Sequence, residues 1–213
     1  MINIIIAFDN QNTSLGRYFD DCQRDITNLL AEHSHLLKSC SIVPSSQCNV
    51  AYIDFTVPLL NPNPFLFISY NHGAEDSLKC AGISFVTIEN CHHFTNSFFY
   101  STACLIGKKL APELIRNGCK TFIGFKETTE VFEHVSYRQT FIQCDNFALK
   151  MFITSEATVG ESFEAMKNYY TNQIDYFMEL GEDINFISAL SANREALVCF
   201  GDKDLKKEHL FVE

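Results

Sequence analysis

The most constraining feature of this sequence is a series of short apolar runs that alternate with longer segments of helical periodicity. The runs at 2–7, 64–70, 97–103 and 121–125 are rich in β-branched and aromatic residues, which favours buried strands. Strands that are apolar on both faces and alternate with amphipathic helices are typical of a mainly parallel sheet with helices on both sides. The sequence therefore predicts an α/β fold.

Further helices and a closing strand complete this prediction. A chain of 213 residues with 46% hydrophobic content can bury a sizeable core, so we expect one domain over residues 1–213. The stretch around three prolines, at 58–64, is expected to be irregular. The first predicted helix spans 14–37, with a cap at Ser14, and a second lies near 110–115. Helical spacing continues from 141 to 180 with a break near 158–160, and a last helix is predicted at 183–195. The closing strand is predicted at 196–200.

Composition argues against two classes of partner. The formal net charge is −10, and an acidic surface repels phosphates, so we expect no nucleic-acid binding. No apolar run approaches the roughly 18 residues that span a bilayer, and the first residues lack the basic region of a signal peptide. We therefore expect neither membrane insertion nor secretion.

The nine cysteines point to a reducing compartment. Their number is odd and none stands in a CxxC pair, which favours free thiols and a cytoplasmic location over a disulfide framework. Structural zinc sites usually have paired ligands, and no glycine-rich phosphate loop occurs, so we expect no metal and no cofactor. The weaker alternative is a metal site built from Cys80, Cys91, His92 and His93; if the two histidines lay in a strand they would point to opposite faces.

Two chemically reactive residues directly follow predicted strands. The strand at 64–70 leads into Asn71-His72-Gly73, and the strand at 97–103 leads into Cys104. Sites in open α/β sheets form beyond the carboxyl ends of the strands. We therefore expect His72 and Cys104 to lie close together at one edge of the sheet.

The chemistry of this pair is nucleophilic. Only a few per cent of an ordinary thiol is thiolate at neutral pH, so a nearby histidine that takes the proton activates it, and a helix N-terminus stabilises the anion. The predicted helix after Cys104 suits that second need. Gly73 has no Cβ and lets the backbone approach a substrate, so the N–H groups of Gly73 and Cys104 are candidate donors to an oxyanion.

The two segments also resemble the signatures of a known group. FLFISYNHG (65–73) and FFYSTAC (98–104) are similar to the strand–His-Gly and strand–Ala-Cys motifs of clan CD cysteine peptidases, which include caspases, gingipains, separases and CHAT-domain proteases. The continuation at 104–125 resembles the CHAT-type pattern of cysteine, helix, glycine and a strand that ends in glycine and an aromatic residue. ALVCFGDKDL (196–205) resembles the segment that closes many gingipain- and CHAT-type domains.

The resemblance implies a three-layer caspase–haemoglobinase-like fold with a mostly parallel central sheet of about six strands. It implies that Cys104 is the nucleophile, His72 the general acid/base and Gly73 an oxyanion donor of a CHAT-type cysteine endopeptidase. The caspase QACxG signature is absent, and 32 residues separate His72 from Cys104 against ~50 in caspases. An Asp-specific caspase is therefore not expected.

Substrate-binding residues follow less directly from the resemblance. Some relatives carry an acidic residue two positions before the nucleophile, where it binds a basic side chain of the substrate. Thr102 occupies that position here, so a preference for Arg or Lys has no support there. Glu127 and Glu130 follow the next strand and could line a pocket for a cation, although a solvated loop is the simpler interpretation.

The resemblance also implies partners and leaves alternatives open. Bacterial relatives are often encoded beside defence or cell-death proteins. This suggests a protein substrate, such as a gasdermin-like pore former, and an activator protein or ligand. One alternative is a catalytically inactive caspase-like scaffold, although a scaffold has no need of both reacting side chains. Another is a thiol hydrolase or transferase that acts on a non-peptide substrate.

Overall fold

A six-stranded sheet forms the centre of the computed structural model, which describes residues 1–132 and 134–212. A three-stranded sheet lies beside it. The strands are β1 Ile2–Phe8, β2 Leu37–Val43, β3 Phe65–Tyr70, β4 His72–Ala74, β5 Ser77–Cys80, β6 Ile83–Thr87, β7 Ser97–Ser101, β8 Thr121–Phe125 and β9 Leu197–Gly201.

The central sheet has the strand order β2-β1-β3-β7-β8-β9. Strands β1, β2, β3, β7 and β8 pair in parallel, and β9 closes the sheet antiparallel to β8. Every residue of β3, β7 and β8 is buried, as expected for strands that are covered on both faces. The α/β fold with a mostly parallel sheet of six strands is therefore confirmed.

Helices pack on both faces of this sheet and bury two hydrophobic cores. One core lies under the helices at 16–32, 135–154, 159–179 and 184–196, and the other lies under the helices at 50–56 and 110–116 and the three-stranded sheet. Every helix among the described residues is too short or too polar to cross a bilayer. The helices are α1 Gly16–Glu32, α2 Val50–Thr56, α3 Leu110–Arg116, α4 Val135–Thr154, α5 Val159–Glu179 and α6 Ile184–Ala196.

Capping residues explain where the predicted helix bounds hold and where they fail. The break near 158–160 is confirmed, because Thr158 caps α5 in a reciprocal capping box with Glu161. The cap at Ser14 is wrong: the Asn12 side chain accepts the Leu15 N–H at 2.8 Å, and α1 begins at Gly16. Helix α2 is not among the predicted helices; it precedes the proline-rich stretch at 58–64, and Asn49 is its N-cap.

The small sheet positions the first candidate residue. Strands β4, β5 and β6 form an antiparallel sheet that starts one residue after β3 ends. Its link to the central sheet is the buried Asn71, whose side chain contacts the Ala7 carbonyl oxygen at 3.1 Å and the Asp9 amide nitrogen at 3.2 Å. The start of β4 at His72 is thus fixed to the carboxyl end of β1.

Candidate functional site

His72 lies half-buried at the carboxyl edge of the central sheet, as predicted. Its backbone pairs with Lys79 of β5, and its ring packs edge-on against Phe19 of α1 with the ring centroids 5.3 Å apart. In the part of the chain that the structure describes, no side chain donates to or accepts from the His72 ring. Ring packing, rather than a carboxylate, therefore orients this imidazole.

The tip of the small sheet is anchored by a buried carboxylate. Asp9 directly follows β1 and accepts the Ser45 hydroxyl and the Ala81 N–H, both at 2.9 Å. Because Ala81 stands in the turn between β5 and β6, Asp9 ties that turn to the end of the central sheet. Asp9 was not singled out in the sequence, although it is a third polar residue at the end of a predicted strand.

The His-Gly and Ala-Cys segments are in direct contact. A Cβ built on Gly73 would lie 2.2 Å from the carbonyl oxygen of Cys104 and 3.1 Å from the Cβ of Ala103. Only glycine allows so close an approach. The structure therefore brings together the two segments that the sequence placed at one edge, with His72 next to one side of the contact and Cys104 on the other.

The sulfur of Cys104 is bound by the loop that follows β8. The Thr129 N–H donates to Sγ at 3.2 Å, and the Thr129 hydroxyl oxygen also lies 3.2 Å from Sγ. Cys104 is half-buried. Thr129 was missed in the sequence analysis, because its contact with Cys104 depends on the path of a loop without regular structure.

The predicted helix does not reach Cys104. Residues 106–109 form turns and α3 begins only at Leu110, so the N-terminus of α3 lies six residues beyond Cys104 in the sequence. Leu105 adopts φ +67°, a left-handed conformation that is uncommon for a branched side chain. Such strained residues cluster at functional sites. The Thr129 N–H takes the place that the sequence assigned to a helix terminus.

The backbone beside Cys104 has an available donor. Within residues 1–132 and 134–212, the Cys104 N–H makes no hydrogen bond to a protein acceptor. A free N–H next to a nucleophile is what an oxyanion hole requires. The predicted roles of the Gly73 and Cys104 amides stay predictions.

The other thiols differ from Cys104 in their surroundings. All nine cysteines are free. Burial raises the pKa of Cys119 to about 11 and raises the pKa of Cys22 and Cys144 well above the usual value, as expected for core thiols. Cys48 donates a hydrogen bond to the Val43 carbonyl oxygen at 3.3 Å, and its interaction with the neighbouring Cys80 lowers the pKa of Cys80, but the Cys80 side chain is buried.

The three predicted substrate-binding residues occupy different environments. Thr102 is buried, and its hydroxyl has no hydrogen-bond partner among the described residues. Glu127 pairs with Lys108 at 3.0 Å, so its charge is compensated. Glu130 is exposed, and its backbone N–H and carbonyl both bond the Asn193 side chain. A role in substrate binding stays a prediction for all three.

A cavity of about 360 Å³ is lined by residues close in sequence to those that contact His72 and Cys104, although neither His72 nor Cys104 lines it. Tyr18 and Arg17 of α1 line one side, and Val131 and Arg138 line the other. Phe19, which follows Tyr18, contacts His72, and Thr129, two residues before Val131, contacts Cys104. Thr102, Glu127 and Glu130 do not line this cavity.

The charges in the cavity are positive. Arg138 is largely buried and pairs with Asp21 at 3.2 Å. Arg17 is exposed and makes no ion pair with any described residue. The cavity is therefore better suited to a neutral or anionic group than to a cation.

The alternative metal site has no supporting geometry. His92 and His93 lie in a short 3₁₀ helix at Cys91–Phe94, not in a strand, and their ring centroids are 4.0 Å apart. His93 faces Asp54 at 3.4 Å. Among the residues that the structure describes, no three His, Cys, Asp or Glu side chains form a group that could hold a metal ion.

A comparison of the chain with protein-family models and with curated proteins gives no match.

Proposed function

We propose that this protein is a cysteine endopeptidase of the caspase-like, CHAT type, with Cys104 as nucleophile and His72 as general acid/base. The observation that supports this most is the backbone contact between Gly73 and Cys104, which places the His-Gly and Ala-Cys segments side by side at the carboxyl edge of the sheet. The resemblance of these segments to clan CD motifs gives the reaction class.

The proposed reaction is acyl transfer to sulfur. His72 accepts the Cys104 proton, and the thiolate attacks a peptide carbonyl carbon to form a C–S bond. The Gly73 and Cys104 N–H groups donate to the oxyanion. When the intermediate collapses, the C–N bond breaks and His72 protonates the leaving amine. Water, deprotonated by His72, then hydrolyses the thioester and restores the thiol.

The cavity lined by Arg17 and Val131 is the proposed site for a substrate side chain. Its volume of about 360 Å³ suits one side chain, and Arg17 supplies a positive charge without a partner among the described residues. We therefore expect a neutral or acidic residue to be preferred there over lysine or arginine. This preference is an inference from the charges, and the resemblance does not supply it.

The cellular setting is proposed on weaker support. Nine free thiols suit a reducing cytoplasm. The partner suggested by the resemblance is a protein substrate, such as a gasdermin-like pore former in bacterial defence, with an activator protein or ligand.

Cleavage of a diverse peptide mixture tests the proposal. The wild-type protein and Cys199→Ala, which removes another half-buried thiol, should cleave it, while Cys104→Ala and His72→Ala should not. Thermal unfolding shows whether each variant is folded. Cleavage that persists in folded Cys104→Ala contradicts the mechanism, and a wild-type protein that binds peptides without cleaving them favours the scaffold alternative.

A further inference from the structure

The loop that contacts Cys104 is fastened at its start by backbone hydrogen bonds. The Lys126 N–H donates to the Ala196 carbonyl at 2.8 Å, where α6 ends. On the other side, the Leu105 N–H donates to the Glu127 carbonyl at 3.3 Å, and the Gly107 N–H donates to the Phe125 carbonyl at 2.9 Å. These bonds fix 125–127 but do not reach Thr129.

A single side chain fixes the loop immediately after Thr129. The Asn193 side-chain amide donates to the Glu130 carbonyl at 2.8 Å, and its oxygen accepts the Glu130 N–H at 3.0 Å. The two bonds hold the peptide groups on both sides of the Glu130 Cα. Because Glu130 directly follows Thr129, Asn193 restrains the backbone next to the Thr129 N–H.

The burial of Asn193 indicates that this contact matters. Asn193 is only 1% exposed, and its neighbours on the buried face of α6 are apolar residues such as Ala189 and Leu190. A buried amide is costly unless its donors and acceptor are satisfied. Both bonds of this amide go to the backbone beside Thr129, so the loop is what satisfies it.

The two donors at Thr129 favour the charged form of the sulfur. A hydrogen bond donated to a thiolate stabilises the anion more than the neutral thiol. The N–H of Thr129 can only donate, and its hydroxyl, at 3.2 Å from Sγ, can also donate. The neutral thiol can donate to the Thr129 carbonyl oxygen, but that contact is longer, at 3.9 Å.

We infer that Asn193 is a positioning residue for Cys104: by fixing Glu130, it holds the Thr129 N–H and hydroxyl on the sulfur, where they stabilise the thiolate. The inference rests on the proposed function in taking Cys104 as the nucleophile. In the activated state the S–H bond is broken, the proton is on His72 or in solvent, and the negative charge on sulfur accepts both Thr129 donors.

The rate at which iodoacetamide alkylates Cys104, measured against pH by mass spectrometry of the full-length protein, tests this inference. In the reaction the thiolate forms an S–C bond and iodide leaves, so the rate follows the thiolate fraction. Asn193→Ala should move the midpoint of the rate–pH profile upward by about one unit and lower the rate at neutral pH roughly tenfold. Asn185→Ala, an exposed asparagine on the same helix, is the matched control and should leave the profile unchanged.

If Asn193→Ala does not fold, a substitution of Thr129 tests the same inference. Thr129→Val has nearly the same shape but lacks the hydroxyl, so it should shift the midpoint upward by about half a unit, and Thr129→Ser should restore it. A folded Asn193→Ala whose melting temperature falls while its midpoint is unchanged would show a purely structural role and overturn the inference. An unchanged midpoint in Thr129→Val would also overturn it.

This measurement needs no peptide substrate, so the two proposals fail separately. A shifted midpoint in a protein that cleaves no peptide supports the positioning role and contradicts the endopeptidase. Cleavage by the wild-type protein together with unshifted profiles supports the endopeptidase and contradicts the positioning role.

Discussion

Gly73 faces the carbonyl oxygen of Cys104 so closely that a Cβ at position 73 would lie 2.2 Å from it. No rotation of a side chain relieves this contact, because the clashing atom belongs to the backbone. The backbone must therefore separate if any other residue replaces Gly73. The proposed site depends on this contact, since it determines how far the His72 segment lies from the nucleophile.

Gly73→Ala is predicted to abolish the reactivity of Cys104 towards peptidyl electrophiles and to lower the melting temperature. The control is Gly82→Ala in the turn between β5 and β6, where a Cβ meets nothing within 4 Å. That control costs only about 1 kcal/mol, from its positive φ of 79°, and should keep full reactivity. Equal labelling of the two variants would contradict the role of the Gly73 contact.

Arg17→Glu is predicted to lower kcat/KM for substrates with an acidic residue in the cavity about tenfold, because an attraction becomes a repulsion. Substrates with lysine at that position should improve. Arg24→Glu on the same helix is the control, since Arg24 pairs with Asp20 and does not line the cavity. If wild type and Arg17→Glu rank peptides that differ at one residue in the same order, a site other than this cavity binds the varied side chain.

Thr102→Val is predicted to stabilise the fold by about 1 kcal/mol, because it keeps the β-branched shape and removes a buried hydroxyl that no residue in the described part of the chain bonds. Chemical denaturation measures this. If the hydroxyl instead binds substrate, KM rises in the same variant while kcat is kept. A loss of stability would mean that the hydroxyl has a partner in solution.

Asp145 is predicted to make the stability of the fold depend on pH. The buried carboxyl accepts the hydroxyls of Tyr18 and Tyr170, yet burial outweighs these bonds and raises its pKa to about 6. Because the folded state binds this proton more tightly than the unfolded state, the contribution is full below pH ~4 and is lost as pH rises to ~6. The expected loss is about 3 kcal/mol.

Urea unfolding of wild type and Asp145→Asn across this range checks that prediction. The asparagine variant does not titrate, so its unfolding free energy should lack the fall between pH 4 and 6. Tyr18→Phe, which removes one donor, should make the fall larger. Parallel pH profiles of wild type and Asp145→Asn would mean that the carboxyl does not titrate in this range.

The strands were predictable because each is a contiguous apolar run whose burial on both faces leaves a local pattern, as in β3 and β8. The ends of helices were less predictable. Helix α1 begins after Leu15 without a capping side chain, where the sequence predicts Ser14 as the cap, and α2 depends on Asn49 in a segment typical of a turn. These outcomes depend on which of several capping residues the tertiary structure selects.

Some residues of the candidate site could also be predicted from the sequence, and others could not. His72 and Cys104 could be placed at one edge from strand ends alone, and the structure confirms that their segments meet. Thr129 and Asn193 could not be found, because their contact with the site comes from a loop and a distant helix. A polar residue at an apolar position of α6 was the one signal that pointed to Asn193.

The most direct test of the central claim is to treat the purified protein with a broad peptidyl electrophile and to locate the modified residue by mass spectrometry. The account predicts modification of Cys104 alone among the nine free cysteines, and its loss in His72→Ala but not in Cys199→Ala. Modification spread over exposed thiols such as Cys40, or unaffected by His72→Ala, would contradict an activated Cys104–His72 pair.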